Sequence, residues 1–518
     1  MAECNCKYYP TVIVPGIGQS KVDLYSLDGK RVKCAWPLDL DTKALIKEIT
    51  PAALKMLVTR DDTEFCKVLT KAVSKAVDPL HVNKEGVPNP LLKPVDYYGK
   101  SLAEVDEADR RYIYRMVPLE SLSEVIGEDH VFFFAYNSFG EPYETAKALN
   151  AYIQNVKKKT GHDKVNLVPV SLGGSIATAY FDAYGYKEDI HRVCYFVPAA
   201  NGSSLIGDLF ERTIDLSDPE SLFGFVLSSK DAKMITSLAK YLPENGLEHI
   251  ANSFIDAVWE TFIGSCPGMW ALLPYERFEY SHKKYLCVQG RGTLKAKAER
   301  FYRAQSNLRE LLLLQEKRGV EFFSICGFDR ELIPFAGSKD VNSDTVVDFK
   351  SASLGGTAAP LGQKLPADYQ RSFERCKDAS HNHISPSGTV DLSTAIFPDA
   401  TFCFCGQQHD DTAYNDVALA ISKEILSNED FHGVYSDPRY PQFNGSRNIR
   451  KLRYDLIPRA KELLKLELHE LVIEELKAAL AEAEAIFDDT FIENNDKAAA
   501  ATERLRAAIL AAKPEYIK

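Results

Sequence analysis

Short apolar runs that do not alternate with polar residues limit what this chain can become more than any other feature. Residues 8–14, 131–136, 164–170, 192–197, 320–326 and 401–405 are each nearly continuous in hydrophobic side chains, and helical stretches such as 143–159 separate them. A strand with one face in water alternates polar and apolar residues, whereas one that is apolar throughout must be covered on both faces. Strands of that kind joined by helices build a mostly parallel sheet with helices on either side, an α/β fold. With 518 residues, 45% of them hydrophobic, the chain has enough apolar surface for such a core and for appended units.

The third run ends in Pro169-Val170-Ser171-Leu172-Gly173-Gly174 and passes at once into a stretch rich in small residues, Gly173, Gly174, Ser175, Ala177 and Ala179. A serine on a sharp strand-to-helix turn has its hydroxyl pushed clear of the backbone, and small neighbours let the helix lie against the strand. Ser171 is therefore a candidate nucleophile, with an ordinary strand-turn-helix corner as the plain alternative. Pro169 stands where a Gly-x-Ser-x-Gly elbow has its first glycine. Lacking a donor, it fits only if that strand position needs no ladder bond.

A serine hydroxyl is a poor nucleophile near neutral pH, so it needs a histidine to take its proton and a carboxylate to orient that histidine. When nucleophile, acid and base follow one another along an α/β chain, the last two lie on loops after later strands. His409 leaves the late run 401–405 through Gly406-Gln407-Gln408, while His381 and His383, in a polar segment before that run, are its rivals. Asp329 and Asp344 both follow the run 320–326, and composition does not separate them. Charge developing on a carbonyl oxygen must meet fixed donors, for which the backbone amides of Leu172 and of Ile17, in Pro15-Gly16-Ile17-Gly18, are the candidates. That glycine loop is a weaker phosphate cradle, since no Gly-Lys-Ser/Thr follows it.

The net charge of −11 argues against nucleic acid as a partner, because binding a phosphate backbone takes clustered basic residues. No run of about eighteen apolar residues predicts a transmembrane segment, and Met1–Cys6 does not read as a secretory signal. Eleven cysteines, an odd count spread thinly, fit a reducing compartment better than a disulfide framework. The expected location is cytoplasmic, with secreted or cell-surface as the alternative if a leader has been removed. Cys4 with Cys6, and Cys403 with Cys405, lack a second pair at zinc-site spacing, so neither metal nor cofactor is expected.

The strand signal disappears between 201 and 313, where helical patterns at 232–241 and 247–262 replace it. An insertion entered just after a strand end would lie over the sheet edge where ligands bind, so 201–313 is expected to be a cap or lid, with a plain packing subdomain as the alternative. Residues 30–125 also read as helical, with no assigned role. From 448 onward alanine, leucine, glutamate and lysine dominate, and Leu476, Ala479, Leu480, Ala483 and Phe487, then Ala498, Ala501, Leu505, Ala508 and Ile509, recur at helical spacing. The expected division is an α/β unit over 1–446 and a C-terminal helical segment over 447–518, a hairpin of two antiparallel helices linked by 488–496 or a helical bundle.

Val12-Ile13-Val14-Pro15-Gly16-Ile17-Gly18-Gln19-Ser20, the turn at Ser171, Ser343-Asp344-Thr345-Val346 and Gly406-Gln407-Gln408-His409 together resemble the lecithin:cholesterol acyltransferase-like lipases of the α/β-hydrolase superfamily. Pro267-Gly268-Met269-Trp270-Ala271-Leu272-Leu273-Pro274 is similar to the Pro-Ser-x-x-Trp-Leu-Leu-Pro stretch of that group's cap, and the resemblance spans residues 8–425. It implies an α/β-hydrolase fold and a triad of Ser171, His409 and Asp344, with Asp329 as the alternative acid. Leu476–Ala512 resembles the FIVAR-type helical module of bacterial surface proteins and enzymes. The expected activity is cleavage of carboxylic esters through an acyl-enzyme, on a small-molecule or lipid ester. An apolar acyl group is expected from the aromatic and leucine-rich residues around Trp259, Trp270 and Leu273. The alternatives are an acyltransferase that passes the acyl group to an alcohol and a catalytically silent hydrolase-fold protein that binds a partner.

Overall fold

The computed structural model describes residues 7–36, 42–215, 245–445, 452–466, 468–485 and 495–513. The expected helix at 232–241, most of the link over 488–496, and Cys4 and Cys6 lie outside them. Seven strands, β1 (Thr11–Val14), β2 (Val131–Phe133), β3 (Val165–Pro169), β4 (Ile190–Phe196), β5 (Glu321–Phe328), β6 (Thr401–Cys405) and β7 (Phe443–Gly445), form one sheet in the order β7-β6-β5-β4-β3-β1-β2. Every neighbouring pair is parallel.

Burial explains why the first six strands read as unbroken apolar runs. Along β1, Val12 and Val14 enter one core cluster and Ile13 the other; along β6, Cys403 joins the first and Phe402 and Phe404 the second. Side chains of a strand alternate between faces, so both faces of this sheet are dry. Helices Pro142–Thr160 and Gly173–Tyr184 cover one face and helix Asp416–Ser427 the other. Arg192, almost fully buried on β4, is satisfied by Glu321 and by the carbonyls of Ile425, Asn428 and Glu429.

Strand β7 has no apolar run. It is a three-residue, partly exposed edge whose pairing is dictated by β6, with Cys403 opposite Phe443. Residues 30–125 are not wholly helical: Arg31–Trp36 and Leu92–Pro94 flank Val22–Tyr25 in an antiparallel three-stranded sheet. These strands are short and half-exposed, so they lack the pattern of a buried run. Among the described residues of 201–313 there is no strand. Helix Gly246–Thr261 supplies Ile250 and Ala257 to a cluster with Ala52, Met56, Phe65, Leu69 and Val73, so this insertion packs on the helices of residues 42–77.

At the C-terminal end, Leu476, Ala479, Leu480 and Ala483 of helix Glu470–Ala485 meet Ala501, Leu505, Ala508 and Ile509 of helix Asn495–Ala512. Leu452, Leu456, Ile457, Ala460 and Leu463 complete that cluster, so helix Ile457–Leu463 is part of it, beyond the expected pair. Among the described residues no helix is long and apolar enough to cross a membrane.

The strand order reverses at β1, which has β3 on one side and β2 on the other. In open parallel sheets the crevice outside the carboxyl ends of the strands at such a point is where ligands bind. Here the helix after β3 comes unusually close to β1: a Cβ on Gly173 would lie 2.2 Å from the Val14 carbonyl oxygen. Backbone on both sides leaves nothing that can yield cheaply. Gly173→Ala is expected to cost at least about 1–3 kcal/mol, as overpacking does, read as a lower midpoint of chemical unfolding; an unchanged midpoint would show that the helix does not sit this close.

Candidate active site

Ser171 lies just past the carboxyl end of β3 with φ +52°, a left-handed conformation unusual for a side chain other than glycine. Neighbouring strands hold it there. Val170 N–H donates to the Val14 carbonyl at 2.9 Å, Ser171 N–H to Phe196 at 3.0 Å, and the Ser171 carbonyl accepts from Ala199 and Gly174 at 2.9 Å each. Pro169 pairs in register with Val14, and the bonds that anchor the turn come from the two residues after it, so its missing donor leaves the elbow intact. Strain of this kind is typical of functional turns and must be held by the surrounding structure.

The loop after β1 closes on the same serine. A Cβ on Gly16 would lie 2.8 Å from the Ser171 Cβ. The Pro15 carbonyl accepts from Tyr136 Oη at 2.6 Å, Gly16 N–H donates to Gln19 Oε1 at 2.6 Å, and Gln19 Nε2 donates to the Met116 carbonyl at 2.9 Å. The Ile17 and Leu172 amides have no protein acceptor among the described residues. Leu172 also stands at the N-terminus of helix Gly173–Tyr184, where the aligned peptide dipoles favour negative charge.

His409 and Asp344 arrive on the loops after β6 and β5. Ser171 Oγ lies 3.0 Å from His409 Nε2, and His409 Nδ1 lies 2.7 Å from Asp344 Oδ2. A carboxylate only accepts, so Nδ1 carries the proton and donates to Asp344, and the Nε2 lone pair faces the serine hydroxyl, which donates to it. A backbone bond doubles the link: His409 N–H donates to the Asp344 carbonyl at 2.6 Å. Asp344 is fully buried, and its second oxygen, Oδ1, accepts from the amides of Val346 at 3.1 Å and Val347 at 2.7 Å. A buried carboxyl group is costly unless its oxygens are satisfied, and here both are.

Burial disfavours the charged imidazolium of His409, but the charge and hydrogen bond of Asp344, joined by the charge of Asp410, outweigh it, and its pKa is raised above 6.5. Asp348, four residues past Asp344, is pushed up to about 6 by its own burial and by the charges of Asp344 and Asp208, against donors from Ser204. Those donors, Ser204 N–H at 2.8 Å and Oγ at 3.0 Å, start helix Ser204–Glu211. Ser203 Oγ donates to the Val346 carbonyl. The first helix of the 201–313 insertion is thus tied to the loop that carries Asp344. Sequence reasoning missed this link, because an aspartate and a serine far apart in the chain carry no mark of their contact.

The remaining candidates lie elsewhere. Asp329 is held by Asn342, at 2.8 Å to its amide and 2.9 Å to Oδ1, and by Thr389 Oγ1 at 2.9 Å, and Asp344 is the acid in contact with His409. His381 contacts Cys376, Asp378 and Asp399, and His383 contacts Gln442 and Asp399. This His/Cys/Asp group lies before β6, at the opposite end of the strand from His409, and among the described residues it alone has the spacing of metal ligands. Trp259, Trp270 and Leu273 are buried, with Phe210 edge-on to both tryptophans at 4.9 and 4.7 Å. Their apolar surface is used in packing.

The chain matches no family model and has no significant match among curated proteins.

A partly exposed hydroxyl, an imidazole facing it and two amides without protein acceptors make up the parts needed for acyl transfer. The stabilisation from the His409–Asp344 pair is fully present below the unfolded histidine value near 6.5 and is lost as pH rises through the raised folded value. In NMR titration His409 is expected to protonate above 6.5 in the wild type. In Asp344→Asn, where burial is left largely unopposed, it should protonate lower. Equal titration midpoints in the two proteins would show that Asp344 does not govern the ring.

Proposed function

We propose that this chain is an α/β-hydrolase that cleaves carboxylic esters through an acyl-enzyme. The observation that carries the reading is the continuous hydrogen-bond chain from Ser171 Oγ through His409 to Asp344. The left-handed turn at Ser171 and the Ile17 and Leu172 amides support it from the backbone side.

In this mechanism Ser171 Oγ attacks the ester carbonyl carbon while its proton passes to His409 Nε2. The negative charge moves to the carbonyl oxygen, where the Ile17 and Leu172 amides donate to it. His409 returns the proton to the departing alcohol oxygen as the carbon–oxygen bond breaks, leaving the acyl group on Ser171. Water, deprotonated by His409, then attacks the acyl carbon; the bond from that carbon to Ser171 Oγ breaks, His409 returns the proton to Oγ and the carboxylic acid leaves. Asp344 orients the ring through both proton transfers.

Residues 201–313 would act as the cap, and the tie from Ser203 and Ser204 to the Asp344 loop supports that role. The division into an α/β unit over 1–446 and a helical segment over 447–518 draws support from the separate core of the C-terminal helices. An apolar or lipid-like acyl group is expected only from the residues around Trp259, Trp270 and Leu273, and these are packed inside, so the proposal is of carboxylic esters in general.

Ser171→Ala is expected to lower ester hydrolysis by at least about 1000-fold, as loss of a serine nucleophile does, with little change in thermal melting. A phosphonate ester should label the wild type at Ser171. An unchanged rate in Ser171→Ala, or no labelling and no hydrolysis across esters of graded acyl length, would overturn the proposal. With an added alcohol, a transferred acyl group in place of free acid would make the protein an acyltransferase using the same residues.

A further inference from the structure

Away from Ser171, four side chains of zinc-ligand type converge at the amino end of β6. Cys376 Sγ lies 3.3 Å from His381 Nδ1, which lies 3.1 Å from Asp399 Oδ1, and His383 Nε2 is 3.3 Å from that same oxygen. One ligand atom from each of the four falls within 4.8 Å of all the others. Ligands held at 2.0–2.3 Å around a tetrahedral zinc are about 3.3–3.8 Å from one another, so small side-chain shifts would suffice to bring the four onto one ion.

The orientation of His383 points the same way. Gln442 Nε2 donates to the carbonyls of Pro398 at 2.6 Å and Thr401 at 3.0 Å. Its Oε1 therefore faces His383 Nδ1 at 2.8 Å and fixes the proton on that nitrogen. The lone pair is left on Nε2, a fully buried atom that makes no hydrogen bond of proper geometry despite its closeness to Asp399. An imidazole whose far nitrogen is locked by a carbonyl, with the near one bare and turned into a cluster of ligands, is the arrangement that supports metal-bound histidines. On His381 the carboxylate of Asp378, 3.5 Å from Nε2, occupies the corresponding outer position.

We propose that Cys376, His381, His383 and Asp399 bind one zinc ion. One thiolate, two imidazoles and one carboxylate suit the borderline-soft Zn²⁺, and Cys376 gives up its proton to solvent as the sulfur–zinc bond forms. Four protein ligands close the coordination shell, so the ion is structural. It ties the excursion between Ala358 and Val390, which carries three of the ligands, to Asp399 at the threshold of β6. The proposal is independent of the chemistry at Ser171.

The test uses untagged, full-length protein purified without chelator. Elemental analysis should find about one zinc per chain, as a closed four-ligand site implies. A chelator should remove it with a fall in melting temperature that added zinc reverses. Asp399→Asn and His383→Ala should each lose zinc, and Gln442→Ala, which frees the ring without removing a ligand, should weaken zinc by about 10–100-fold in a chelator competition. Cobalt in place of zinc should show a thiolate charge-transfer band that Cys376→Ser abolishes. Wild-type protein that neither carries zinc nor takes it up on dialysis, whatever the behaviour of the variants, would overturn the proposal. So would full zinc content in both Asp399→Asn and His383→Ala.

Discussion

The backbone of the helix after β3 lies against the carbonyl oxygen of Val14, with no room for a side chain at Gly173. That approach organises the rest of the site. It brings Ser171 beside Gly16, with Leu172 following β3 and Ile17 following β1. Ladder bonds from Val170 and Ser171 into β1 and β4 supply the rigidity that a left-handed serine needs. The small residues of this helix are therefore a requirement of distance between two backbones more than of helix propensity.

The loop after β5 serves two structural partners. Asp344 satisfies one carboxylate oxygen on the amides of Val346 and Val347 and turns the other to His409. Asp348 and the Val346 carbonyl hold the first helix of the 201–313 insertion through Ser204 and Ser203. Any displacement of that helix bears on the loop that aims the imidazole. At the far end of β6, the Cys376, His381, His383 and Asp399 group anchors the chain before it enters the strand, so both ends of β6 are fixed by histidine contacts of different kinds.

Much of the fold was legible because a strand buried on both faces cannot hide its composition. The runs at 164–170 and 401–405 became β3 and β6 with their ends shifted by at most a residue. Phe443–Gly445 and the strands Arg31–Trp36 and Leu92–Pro94 were not legible, since short, half-exposed edges are selected by their partners and not by their own hydrophobicity. His381 and His383 read as possible bases in sequence, but their meeting with Cys376 and Asp399 spans 24 residues of mostly irregular chain that no periodicity describes. The apolar residues at Trp259, Trp270 and Leu273 suggested a lining, and burial turned them into core.

Residue types and their order along the chain pointed to a parallel α/β sheet, a candidate serine turn, and a short set of histidines and aspartates able to complete it. Only the tertiary structure decided among them. Composition does not separate Asp329 from Asp344, and only the resemblance favours Asp344; in the fold Asp329 is bound to Asn342 and Thr389 while Asp344 faces His409 at 2.7 Å. Local pattern records what each segment must bury; it carries no record of the distance and orientation between segments, and hydrogen bonds, which fail beyond about 3.5 Å or at poor angles, depend on both.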